Sequence, residues 1–205
     1  MKSIRDYLAE DMWNHILMSG DAIRGCVTME SCKTKAEQLD YCRGITTMFP
    51  HMLLMNFSRW YFDAGMPKDY GAFMEASIAP LQEKVFPVLE IYFAEDSGLN
   101  EQEKGAMLIP VLTDLVPKYV LSGYHNYMFA DSGKNIDEYI ESIQPLLSAS
   151  AKAMAAAYAD STTIEEKAEF FLYLGTRFPF LIIKRWYDWM FGKEEMKMPP
   201  PPPQG

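Results

Sequence analysis

Few side chains in this 205-residue chain stand in patterns that could do chemistry. Its histidines, His15, His51 and His125, share no repeated context. No Glu-x-x-His, His-x-x-x-His or His-Glu-x-x-His pattern surrounds them, so neither a di-iron bundle site nor a zinc-protease site is expected. Asp11 and His15 stand four apart. That spacing suits a helix contact, or a supporting pair behind a metal ligand. Met48, Met52 and Met55 share a helical face with His51; gap-filling in a core suits them better than soft-metal binding. Cys26, Cys32 and Cys42 are odd in number, irregular in spacing and without a Cys-x-x-Cys pair. They read as reduced thiols of a cytoplasmic protein rather than a disulfide framework or a zinc site. Cys42, among Leu39, Tyr41 and Ile45, reads as a buried inert thiol. Glu83, Glu90 and Glu95 read as a solvated helix face rather than an acid–base pair. No phosphate loop, dinucleotide fingerprint or nucleophile elbow is present. No catalytic residue, metal ligand or cofactor is assigned.

The sharpest feature is an aromatic stripe formed by Phe57, Trp60, Tyr124, Tyr127, Trp186 and Trp189. Two readings stand. The rings are packed core, as a stripe at helical spacing usually is. Alternatively, splayed helices leave an apolar cavity that the rings line, with Tyr124, Tyr127 and Tyr187 as polar handles. Arg59 directly precedes Trp60, and Arg185, next to Lys184, directly precedes Trp186. Each points about 100° away from the ring beside it. They are either a solvated flank with buried stems or a carboxylate clamp at the cavity mouth.

The elements that would carry these side chains repeat. Pro50, Pro117 and Pro179 each follow a helix-start signal by 16 or 17 residues: Thr34 with Glu37, Asn100 with Glu103, and Thr163 with Glu166. Such pairs form capping boxes, in which each side chain satisfies the other residue's free backbone N–H. Beyond each proline, apolar residues stand at +3 and +4 and aromatics at +7 and +10, followed by Gly65, Gly133 and Gly192. These offsets trace one helix face, with glycine as the stop. First helices are expected from Ile4 to about Met29, Tyr70 to about Ala94 and Ile136 to about Ala159. Ala79-Pro80-Leu81 stands 65 residues before Gln144-Pro145-Leu146, and Tyr92-Phe93-Ala94 parallels Tyr158-Ala159. The repeat length is therefore about 65 residues.

The expected fold is all-α, with three tandem helix hairpins at 1–65, 66–133 and 134–192 forming one domain, as a bundle or a short solenoid. The second helix of each hairpin is kinked at its proline, or broken there into two. Residues 193–205 form a proline-rich disordered tail. Strand-like alternation is absent.

Composition narrows the function. At 49% hydrophobic and 23% charged the chain is ordinary globular material. A net charge of -9 repels phosphate backbones and anionic lipid, so neither nucleic acid nor membrane is expected as a partner. The runs Tyr119–Ala130 and Phe178–Ile183 are too short to span a bilayer. The start, Met1 to Asp6, is charged from its second residue, so no secretory leader is expected. The run Trp60-Tyr61-Phe62-Asp63-Ala64-Gly65, with the acidic helix after it, is similar to the C-terminal ligand-sensing helices of TetR-type regulators. No helix-turn-helix precedes it, so the family is not assigned. That similarity implies a ligand-sensing regulatory domain. The reading that leads is a non-catalytic binding protein, holding an apolar or aromatic small molecule or a partner helix against the stripe. A cofactor-dependent helical enzyme is the third. Dimerisation is one way to cap the ends of three repeats.

Overall fold

The computed structural model describes residues 24–25, 27–28, 32–47 and 70–192. Pro50, Phe57, Arg59, Trp60, Gly65, the first helix of the first hairpin up to Ile23 and the proline tail lie outside them.

All described secondary structure is helical, and the helices form a bundle. Residues 24, 25 and 27 are helical, and the helix here called α1 covers residues 35–47. α2 (Tyr70–Lys84) and α3 (Phe86–Phe93) come next. α4 (Glu101–Asp114) runs through a π-helical segment (Leu115–Leu121) into α5 (Ser122–Met128). α6 (Ile136–Asp160), α7 (Ile164–Gly175) and α8 (Arg177–Phe191) complete the order.

All three capping boxes form. The Thr34 hydroxyl accepts from Glu37 N–H while the Glu37 carboxylate accepts from Thr34 N–H. Asn100 with Glu103 and Thr163 with Glu166 do the same at α4 and α7. Each box satisfies donors that a helix start leaves open. The stops are glycines with left-handed backbone that a side chain would strain. Gly192 (φ 88°) follows α8 directly, and Gly133 (φ 73°) closes a short turn after α5.

One expected helix is two. The stretch from Tyr70 to about Ala94 breaks at Val85 between α2 and α3. Pro87, in the first turn of α3, is the cause: it has no N–H to donate and its ring clashes with the carbonyl of Glu83. At Pro117 the chain takes wider, π-helical turns rather than ending. Near Pro179 it breaks at Thr176, which leaves the proline in the first turn of α8, where no donor is missed.

α4 packs along α6, the π segment against α8 and α2, and α7 against α8. The main core lies between them, around Tyr124, Trp186, Tyr139 and Leu147; a smaller one joins Leu81, Val85, Leu89 and Leu108. The stretch Glu101–Met128 as a whole is long and apolar enough to cross a bilayer by length and composition. In this bundle it packs against α2, α6 and α8, and 44% of its apolar stretch is buried.

Candidate functional site

The stripe residues that are described fall into the protein interior. Tyr124 and Trp186 are fully buried, with ring centroids 5.9 Å apart, and Phe129 meets both. Tyr127 and Trp189 are half-buried at the edge of the same cluster. Trp189 leans on Tyr139 and lies beneath the Lys134 ammonium, 5.1 Å from its ring. Arg185 is exposed. Lys184 pairs with Asp188, 2.7 Å away, on its own helix. Phe57, Arg59 and Trp60 lie outside the described residues. His125 is a core histidine whose Nε2 lies 2.9 Å from the Lys134 carbonyl oxygen. A carbonyl only accepts, so Nε2 is the donor of this hydrogen bond.

A cavity of about 270 Å³, open on one side, lies elsewhere, lined by Val27 and by residues of α1, α3, α4 with its π segment, α7 and α8. None of Tyr124, Tyr127, Trp186, Trp189 or Arg185 lines it. Its volume is close to the lower end of small-molecule sites, roughly 300–1,000 Å³. Along α4 and the π segment its wall runs from Glu101 to Val120, roughly 28 Å of helix at 1.5 Å per residue. The space is therefore elongated along α4 and the π segment. One end is apolar, walled by Val116, Val120, Pro179 and Ile183, all buried.

The opposite end is polar and starts where α1, α4 and α7 start. Lys35, Glu101, Lys104 and Lys167 line it. The Glu101 carboxylate accepts from the Lys167 ammonium and, at 2.8 Å, from the Tyr158 hydroxyl. Its other oxygen is 3.6 Å from Lys104. The Tyr92 and Tyr158 hydroxyls are 2.7 Å apart. Tyr158 has one hydroxyl proton and gives it to Glu101, so Tyr92 is the donor between the two tyrosines. The chain of hydrogen bonds is directed from Tyr92 through Tyr158 to Glu101.

Each lysine stands over a ring: Lys35 over Phe93 (6.0 Å), Lys104 over Tyr92 (5.8 Å) and Lys167 over Tyr158 (5.5 Å). At such distances the ring faces attract the ammonium groups and hold them in place. Burial pushes the Tyr92 hydroxyl up to about 12. Burial also raises Tyr158, and Tyr92 and Glu101 raise it further. Both hydroxyls are thus donors at neutral pH. For Glu101 burial alone pushes upward. The hydrogen bonds from Lys167 and Tyr158, with the charges of Lys167 and Lys104, outweigh it and hold the carboxyl below its usual range.

The sign of that shift sets a pH dependence. A depressed carboxyl stabilises the fold above its ordinary titration range, and the contribution is lost as pH falls through the folded value. At pH 7 the wild type is expected to melt above Glu101→Gln, and the two melting temperatures to converge on acidification. A difference independent of pH would show that the carboxylate's charge contributes nothing. The group is half exposed, so the effect is modest.

Among the described residues no group of three or more His, Cys, Asp or Glu is placed to hold a metal. No family model, curated protein or solved structure matches the chain.

The polar end was not visible as a site in the residue pattern. Tyr92 and Tyr158 appear there only as corresponding positions of two repeats. Lys104 and Lys167 each stand four residues after a cap, which is the one signal that marks them.

Proposed function

We propose that the chain is a non-catalytic binding protein of three tandem helix hairpins, which holds an apolar small molecule in the cavity that their second helices enclose. One observation carries this reading. Counted from the caps Thr34, Asn100 and Thr163, the same positions of all three helices face the cavity. At +4 stand Gln38, Lys104 and Lys167; at +8, Cys42, Leu108 and Phe171; at +12, Thr46, Leu112 and Gly175. Two of the three continue to +16 and +20 with Val116 and Val120, Pro179 and Ile183. Offsets of 4 and 8 follow one face of an α-helix. A shared face around one space supports a common unit used three times, at 1–65, 66–133 and 134–192. The space is then the centre of the repeat, and its apolar wall suits a ligand that water would exclude.

The reading departs from a ligand held by the aromatic stripe, because the stripe residues that are described pack away from this space. The neutral dye Nile red is expected to bind saturably at one site per chain. Bound dye is expected to slow alkylation of Cys42, which lines the cavity, as followed by peptide mass mapping. Cys42→Phe, which fills the space, is expected to abolish dye binding while the protein still melts cooperatively. Absence of saturable binding, together with native mass spectra of protein from its source showing no retained small molecule, would overturn the reading.

A further inference from the structure

We propose that the ligand of this cavity is an anionic amphiphile, a linear apolar chain with a single negatively charged head group that sits at the polar end among Lys35, Lys104 and Lys167. The inference rests on the binding reading above and adds the chemical class of the ligand. Three observations point the same way.

The first is charge. The protein as a whole carries -9, yet this end of the cavity gathers three ammonium groups against the single carboxylate of Glu101. Of the other acidic residues at the three helix starts, Glu37, Glu103 and Glu166 are turned back onto their own helix starts in the capping boxes, and neither they nor Glu165 line the cavity. Lys104 and Lys167 share Glu101, and among the described residues Lys35 has no carboxylate partner. An excess of positive charge at the one polar end of an apolar space is complementary to a negative head group.

The second is the seat that Glu101 itself displays. Two lysines and a tyrosine hydroxyl already converge on its carboxylate oxygens. The groups that hold one carboxylate are therefore oriented for an anion, and the rings beneath the lysines restrain them there. Lys35, exposed and across the space on α1, is the group left to meet a second anion.

The third is shape. A wall that extends from charged residues at the helix starts to Val120 and Ile183 at its far end matches an extended chain better than a compact ring system. The apolar end would take the tail, whose methylenes leave water on binding.

The test compares decanoate, decyl phosphate, 1-decanol and decyltrimethylammonium by isothermal titration calorimetry and by displacement of Nile red from the full chain. Decanoate or decyl phosphate is expected to bind at least tenfold more tightly than decanol, and the stronger of the two names the head group. The cationic amphiphile is expected not to compete. Lys35 is exposed, so Lys35→Gln is expected to leave the fold intact. It is expected to weaken the favoured anion several-fold and leave decanol unchanged. Decanol binding as tightly as both anions, or decyltrimethylammonium competing with them, would overturn the amphiphile proposal and leave the cavity reading standing. Failure of Nile red and of all four decyl compounds to bind would overturn the cavity reading itself.

Discussion

Trp186→Ala is expected to lower the unfolding free energy by about 3–5 kcal/mol, the range for removing a large aromatic from a packed core. Trp186 is 1% exposed. Its ring meets Tyr124 at 5.9 Å, Phe129 at 5.7 Å and His125 at 6.3 Å, so α5, the turn after it and α8 all lean on it. Removing it leaves a hole between two helices that are held elsewhere and cannot close over it. Trp189→Ala is the internal comparison. Its ring is half-buried beside Tyr139 and Lys134 and is expected to cost clearly less. Urea unfolding of both variants decides the matter, with Trp186→Phe as the milder change should Trp186→Ala fail to fold. A Trp186→Ala loss below about 1 kcal/mol, or one smaller than that of Trp189→Ala, would mean that the ring does not hold the core together.

Gly105→Leu is expected to destabilise by an amount near the top of the ~1–3 kcal/mol range for overpacking, and to loosen the polar end of the cavity at the same time. Gly105 is buried on α4 where α6 crosses it. A Cβ at this position would lie 2.7 Å from Cδ1 of Tyr158 and 3.4 Å from its Cε1. Tyr158 is itself fully buried, its ring packed against Phe170 and Phe171, so it cannot shift without displacing them. Its hydroxyl is the middle member of the Tyr92–Tyr158–Glu101 chain, so displacing the ring breaks that chain. Helix propensity alone points the other way, since glycine in a helix is about 1 kcal/mol worse than alanine. Gly44 separates the two effects. It is exposed on α1, and a Cβ there would meet nothing within 4 Å. Gly44→Ala is expected to raise the melting temperature and Gly105→Leu to lower it. Equal effects in the same direction would contradict the close approach of α4 and α6.

Local rules made a good part of this protein legible in its residues. Thr34, Asn100 and Thr163 could be placed as caps because a capping box is closed by two residues three apart and needs nothing from the rest of the chain. The extent of α6 was legible too: the helix expected from Ile136 to about Ala159 runs from Ile136 to Asp160, capped by Asn135. The break at Val85 was missed because Pro80, Pro110 and Pro145 are all accommodated inside helices. Whether a given proline ends a helix depends on what surrounds it, as the contrast with Pro87 makes plain.

Aromatic spacing marked Tyr124 and Trp186 as facing inward, and periodicity says no more than that. Which inward-facing positions meet each other and which face a gap is decided by how helices distant in sequence come together. Tyr124 and Trp186, 62 positions apart, close upon one another, while Leu108 and Phe171 line an open space. In the same way Tyr92, Glu101, Tyr158 and Lys167 are ordinary residues where they stand in the chain. They become one hydrogen-bonded group only when α3, α4, α6 and α7 place them within reach. Hydrogen bonds and short-range charge contacts act over a few ångströms. A site assembled from four helices therefore exists only in the folded chain, whereas a cap or a helix face is written in a handful of neighbouring residues.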